Sequence, residues 1–215
     1  MSAVVFDLDG TLIDSAPDIH AATNRMLVGA GAEPLTLSTV ISFVGNGLPT
    51  LVARAMDARG IDMARHDELS RITLGYYEEA STALTRVYPG VFDALDRLQA
   101  EGHALGICTN KPETAARQVL DELNLARYFP AVLGGDSLSV KKPDPEPLRA
   151  VFAAMGAHSG LFVGDSEVDA ATAAAAQVPF ALFTLGYRKA EVEDLPHQFV
   201  FSEFAELPGI VARAG

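Results

Sequence analysis

One cysteine, a shortage of basic residues and no apolar run of membrane length set the first limits on this chain of 215 residues. With Cys108 alone, no disulfide framework can close within the chain, and a reducing compartment is the expected setting. Sixteen Lys and Arg stand against 28 Asp and Glu, a formal charge of −12. Nucleic acid is therefore offered no net cationic field and no basic stripe. A local positive pocket for one small anion stays open. No stretch reaches the roughly 20 apolar residues a bilayer requires; the alanine-rich run at 170–176 is short and follows acids. Residues 1–6 lack a basic segment and run straight into Asp7 and Asp9, which is not a signal-peptide pattern. A cytoplasmic protein with no membrane partner is expected. The five histidines have no ligand spacing and no partner cysteine, which weighs against a structural zinc. His20, near a change of texture in the chain, is read as a surface or packing residue. Also missing are the G-x-S-x-G elbow, the GxxxxGK[ST] loop and the GxGxxG fingerprint.

What is there fits an ordinary globular protein: 49% hydrophobic and 20% charged residues. A chain of this length can bury about 70% of its surface and needs no metal or disulfide to hold its fold. Residues 4–6 read as a buried strand that delivers Asp7 at its carboxyl end. From Pro17 to about Arg86 only helical patterning appears, opening at Pro17 and Asp18 with Ile19, Thr23, Met26 and Leu27 at near-helical spacing and continuing around 36–44, 48–59 and 64–84, broken by Gly45, Asn46, Gly47 and Gly60. This stretch is read as an all-helical insert over 17–86. Beyond it, strands expected at 103–108, 131–133, 160–163, 180–183 and 199–201 alternate with helices. That pattern implies a Rossmann-like α/β parallel sheet with helices on both faces, built from 1–16 and 87–215.

In open α/β sheets ligands sit beyond the carboxyl ends of the strands. Widely separated polar residues converge there: Asp7 and Asp9, Thr109 and Asn110, Asp165 and Asp169, with Lys141 and Lys142 arriving on a loop. In an extended chain Asp7 and Asp9 leave on one side and Leu8 on the other. Gly10 permits a tight turn whose amides can face an anion. One carboxylate can attack phosphorus while a neighbour carries the proton, so Asp7 is read as nucleophile and Asp9 as acid/base; a pair of acids capping a turn is the alternative. Asp169 lies one helical turn after Asp165, and with Asp7 they form a hard-oxygen set suited to Mg²⁺. Thr109 and Asn110 precede a helix start, as a phosphate oxygen requires. Either Lys141 or Lys142 supplies the cation. Cys108 is read as a packed, inert thiol, and Glu167 as solvent-facing.

These residues resemble, in order and spacing, the four motifs of haloacid dehalogenase-like hydrolases: Asp7-Leu8-Asp9-Gly10-Thr11, Thr109, Lys142-Pro143, and Gly164-Asp165-Ser166 with Asp169. The resemblance implies that Asp7 is the nucleophile, Asp9 the acid/base, Thr109 a phosphate ligand and Lys142 the charge-stabilising lysine. It also implies Mg²⁺ held by Asp7, the Asp9 carbonyl and Asp165, with Asp169 supporting the ion, and makes 17–86 a cap domain. Thr11 and Asn110 are expected to bind substrate. Within the superfamily the residues 7–18, 43–47 and 163–170 most resemble phosphoglycolate phosphatases, which implies a small phosphorylated metabolite as substrate. The turn Gly45, Asn46 and Gly47 would then project from the cap as a substrate-binding element, while Arg54 is read as a surface residue. Dehalogenases lack a counterpart of Asp9, and phosphonatases rely on a cap lysine, whereas 17–86 contains none. Other small-metabolite phosphatases, a β-phosphoglucomutase-like mutase and a non-catalytic binding protein are the competing readings. A monomer and a small homo-oligomer fit equally.

Overall fold

The computed structural model describes residues 3–80 and 82–214. Met1, Ser2, Ser81 and Gly215, which belong to the expected segments 1–16, 17–86 and 87–215, lie outside the described residues. The first strand, β1 (Ala3–Phe6), is buried along its whole length. It carries no alternation because a parallel strand covered on both faces has no solvent side. Asp7 follows at its carboxyl end. The chain then makes a tight turn into β2 (Ile13–Asp14) and enters α1 (Ala16–Gly29), with Pro17 in the first turn, where its missing N–H costs nothing.

Three more helices follow: α2 (Leu37–Ile41), α3 (Leu48–Asp57) and α4 (His66–Glu78). The last is shorter than the 64–84 expected. Met26, Leu27, Val40, Val52, Met56 and Leu69 give this segment an apolar cluster of its own. The chain returns through β3 (Arg86–Val87), which pairs antiparallel with β2 at Ile13↔Val87 and Asp14↔Arg86. This two-residue ladder was not expected, since so short a strand shows no periodicity. Buried Asp18 ties the crossing together: its carboxylate accepts from the Leu84 amide and from the amide and hydroxyl of Thr85, the last two at 2.7 Å.

The remaining chain alternates strand and helix: α5 (Val91–Ala100), β4 (Ala104–Cys108), α6 (Glu113–Glu122), β5 (Ala131–Leu133), α7 (Glu146–Ala154), β6 (Gly160–Gly164), α8 (Glu167–Ala176), β7 (Phe180–Phe183), β8 (Phe199–Phe201) and α9 (Leu207–Ala214). The helix α9 had no counterpart in the sequence reading. Six strands form one parallel sheet in the order β5-β4-β1-β6-β7-β8. One face packs an apolar cluster that includes residues of α5, α6 and α9, and the other packs α7 and α8. The chain leaves β1 toward β4 and leaves β6 toward β7, so the strand order reverses between β1 and β6. A crevice at the carboxyl ends opens at such a reversal. Asp7 emerges from one of those strands and Asp165 follows the other.

Candidate active site

The register levels Phe6 with Ile107 and with Val163, so Asp7, Cys108 and Gly164 end their strands together. Asp7, Asp165 and Asp169 thereby offer carboxylate oxygens within 4.8 Å of one another, all buried. Lys142 is their counter-charge. Its Nζ stands 2.6 Å from Asp169 Oδ1 and 2.9 Å from Asp7 Oδ1 on a side chain 1% exposed. The ambiguity between the two lysines is resolved by placement, because Lys141 Nζ points elsewhere and donates to the Asn46 carbonyl at 2.8 Å.

One ammonium among three buried carboxylates leaves the centre short of positive charge. Burial pushes Asp7 up to about 7, with Lys142 opposing and Asp169 adding to the rise. Burial, then Asp169 and Asp7, also hold Asp165 above the usual carboxylate range. For Lys142, burial works against the charge, yet Asp169 and Asp7 outweigh it and raise its pKa. Asp7 Oδ1 is buried and, despite its nearness to Lys142, has no aligned hydrogen-bond donor. Uncompensated carboxylates and an orphaned hard oxygen are what a divalent cation with oxygen ligands satisfies. The residues present fit such an ion.

The three acids are held differently. Asp165 accepts the Thr11 hydroxyl at 2.7 Å on Oδ1 and the Tyr187 amide at 2.6 Å on Oδ2, one donor per oxygen, which leaves a lone pair free on each. Asp169 Oδ2 takes three donors, the Ser166 hydroxyl at 2.6 Å and the amides of Ser166 and Asp165, while Oδ1 takes Lys142. With Ser166 as the capping residue of α8, this is a capping box. Asp169 is committed to orienting its neighbours.

Several expected roles change. Thr11 is fully buried with its hydroxyl on Asp165, so it braces a carboxylate instead of meeting substrate. The amides of Gly10 and Thr11 are engaged by the Ile13 and Leu8 carbonyls, which they donate to. Gly10 adopts φ +87°, which curls the turn back on itself, and a Cβ there would sit 2.5 Å from Asp165 Oδ2. Glu167 does not simply face solvent: its carboxylate accepts the amides of Lys189 and Ala190 and anchors the loop after β7. Arg54 is no free surface cation, because it donates to the Phe43 carbonyl and to Asn46 Oδ1 and braces the 43–47 turn from within. The Asn46 side chain is thus turned onto Arg54. Cys108 is buried and its thiol pushed up to about 12 by burial, as an inert packed sulfur should be.

The glycine-containing turn does meet the sheet ends. Its successive carbonyls are held by three donors from the α/β body: Lys189 Nζ to Val44, Asn110 Nδ2 to Gly45 and Lys141 Nζ to Asn46. Gly47 has φ +87°, and a Cβ would lie 3.1 Å from the Asn110 carbonyl, so this approach requires glycine. Below the turn lies a cavity of about 70 Å³. Asp7, Asp9, Thr109 and Asn110 form its floor, and Gly45, Gly47, Leu48 and Leu51 part of its roof. Asp9 stands there with Oδ1 accepting the Ser15 hydroxyl at 2.6 Å.

Lys111 completes this floor, and the sequence reading passed over it. Its Nζ is 2.9 and 3.0 Å from the two Asp9 oxygens and 4.3 Å from the centre of the Tyr77 ring, on a side chain 5% exposed. The strand-end argument that selected Thr109 and Asn110 applies equally to the next residue and would have found it. Tyr187, which donates its amide to Asp165 and its hydroxyl to Asp14, carries no such signal, being set by a loop.

A family model described as haloacid dehalogenase-like hydrolase matches residues 4–183. A phosphoglycolate phosphatase of Cereibacter sphaeroides strain ATCC 17025 is 53% identical over 213 residues, 98% of each chain. One from Rhodobacter capsulatus is 43% identical over 211 residues, 97% of this chain and 96% of its own. Among solved structures, a predicted phosphoglycolate phosphatase from Haemophilus somnus superposes with a TM-score of 0.93 at 30% identity, covering 98% of this chain and 97% of that one.

Proposed function

For a chain that belongs to the haloacid dehalogenase-like hydrolase family and is a phosphatase within it, we propose that the substrate is 2-phosphoglycolate, cleaved to glycolate and phosphate through an aspartyl-phosphate on Asp7. The observation that carries this reading is the pairing of buried Asp7 with Lys142 beside a second carboxylate, Asp9, on the floor of a cavity roofed by helices. Relatives bearing the name phosphoglycolate phosphatase over nearly the whole length of this chain support the substrate reading.

Asp7 attacks phosphorus, and the bond from phosphorus to the glycolate oxygen breaks as Asp9 delivers a proton to that oxygen. Lys142 and Thr109 face the charge that develops on the phosphoryl oxygens. Asp9, now a carboxylate, then takes a proton from water, which attacks phosphorus and releases Asp7 and phosphate. Asp7, Asp165 and the Asp9 carbonyl would hold Mg²⁺, which when bound offsets charge on the phosphoryl group. Asp169 keeps Asp165 and Lys142 in place. Residues 17–86 serve as a cap over a core of 1–16 and 87–215, hinged at the β2–β3 ladder, and exclude bulk water in the first step. The unpaired thiol of Cys108 is in keeping with a cytoplasmic setting.

The test is phosphate release, with and without Mg²⁺, from 2-phosphoglycolate, β-glucose 1-phosphate, sugar phosphates, nucleotides and pyrophosphate, compared by kcat/KM. A clear preference for 2-phosphoglycolate that requires a divalent cation is expected. Broad release, or a better substrate elsewhere in the panel, removes the substrate assignment and leaves the phosphatase.

A further inference from the structure

A leaving group that carries a carboxylate poses a problem for this cavity. Its floor already holds two acids, Asp7 and Asp9, and its roof includes apolar side chains of the helical segment such as Leu48, Leu51 and Leu74. Lys142 is engaged by Asp7 and Asp169. Lys141 is engaged by the Asn46 carbonyl. Among the described residues that line the cavity, Lys111 is the one cation.

Its position relative to Asp9 is informative. A residue that protonates the ester oxygen must touch that oxygen, and Lys111 Nζ lies within 3.0 Å of both oxygens of the Asp9 carboxylate. In 2-phosphoglycolate the carboxylate is one methylene away from the ester oxygen. A cation held against Asp9 is therefore within reach of that carboxylate when Asp9 engages the ester oxygen. An ammonium has three N–H donors; both Asp9 oxygens and the Tyr77 side chain of α4, whose ring centre lies 4.3 Å away, surround this one. The Tyr77 hydroxyl, buried in the cavity wall beside Lys111, has no well-aligned hydrogen-bond partner and is a second polar group for an incoming oxygen.

We propose that Lys111 is the specificity-determining residue of this phosphatase, receiving a carboxylate placed one methylene from the scissile ester oxygen. The inference rests on the 2-phosphoglycolate reading and deepens it, because it assigns the selectivity to a lysine at the end of β4 and not to the glycine turn alone. It separates substrates by chemistry. Esters of α-hydroxy acids find a partner, whereas esters of neutral alcohols of the same size leave Lys111 on Asp9.

The experiment compares kcat/KM for 2-phosphoglycolate and for ethylene glycol monophosphate, which replaces the carboxylate by a neutral hydroxymethyl group. The proteins are wild type, Lys111→Met and Lys111→Arg. Any loss through Asp9 falls on both substrates, so the ratio isolates the carboxylate. In Lys111→Met the preference for 2-phosphoglycolate is expected to fall on the order of 10- to 100-fold, with substantial recovery in Lys111→Arg. A wild type that prefers the carboxylate, together with a Lys111→Met protein that keeps the full preference, overturns the role of Lys111 and leaves the substrate standing. A wild type without the preference overturns both. Should neither variant fold, wild type alone decides: glycolate must inhibit hydrolysis of the neutral ester at a concentration at least about tenfold below that of ethylene glycol. Equal potency, or no inhibition by either, overturns the proposal.

Discussion

Replacing Asp7 by asparagine should make the metal-free protein more stable. Asp7 rises from 3.8 to about 7 on folding, chiefly through burial. The folded state thus holds the proton more tightly than the unfolded chain, so stability falls as pH climbs from about 4 to 7 and stays low above. Integrating that linkage at about 1.4 kcal/mol per unit gives a cost of a few kcal/mol at pH 8 and less than about half of that at pH 5. Asp7→Asn keeps the shape of the protonated side chain and does not titrate. Without divalent cation it should therefore exceed wild type in stability, by about 2–3 kcal/mol more at pH 8 than at pH 5. At about 2–4 °C per kcal/mol for a chain of this size, the Tm gap widens by about 5–10 °C between those pH values. Thermal melts of both proteins in chelator measure it, and added Mg²⁺ should raise wild type at pH 8 far more than the variant. A gap that does not change with pH, or a variant less stable than wild type at pH 8, would refute the reasoning.

Other outcomes follow from single contacts. Thr11→Val removes the donor to Asp165 Oδ1 and should raise the Mg²⁺ concentration for half-maximal activity about tenfold or more, as loss of a ligand-orienting partner does; the check is a Mg²⁺ titration of activity. Lys141→Ala frees the Asn46 carbonyl and should raise KM for 2-phosphoglycolate several-fold with little change in Tm, measured by steady-state kinetics and melts. Gly47→Ala forces a Cβ to 3.1 Å from the Asn110 carbonyl at a positive φ, and its kcat/KM should fall by about tenfold or more, in line with a cost of about 1–3 kcal/mol for a strained position. Asp18→Asn weakens the buried contacts to Leu84 and Thr85 at the base of the helical segment and should cost about 1–3 kcal/mol, read by denaturant unfolding.

The α/β body was legible because its strands are continuous apolar runs that end in polar residues, and a parallel sheet gathers those ends on one edge. Asp7, Asp9, Thr109 and Asp165 stood out that way, Asp169 by its helical spacing from Asp165, and Lys142 over Lys141 only through the family resemblance. The β2–β3 ladder did not, since two residues per strand carry no period. Helix α8 starts at Glu167, before the alanine run, because Ser166 and Asp169 form a capping box that composition alone hides. Roles within the site were harder to read than membership. Thr11 and Asp165 are 154 positions apart, and Tyr187 reaches Asp165 only through a loop. Nothing local in the sequence specifies contacts of that kind. Lys111 is the different case: it directly follows Thr109 and Asn110, and the strand-end argument that selects them reaches it equally.

The central claim is that phosphorus passes through Asp7, and trapping tests it most directly. The enzyme would be mixed with 2-phosphoglycolate and Mg²⁺, quenched in acid within one turnover, reduced with borohydride and digested for mass spectrometry. An aspartyl-phosphate at Asp7 predicts homoserine at position 7, formed only with substrate and absent from Asp7→Asn. Phosphate released in the same turnover with position 7 unaltered, or the label found on Asp9, would contradict the account.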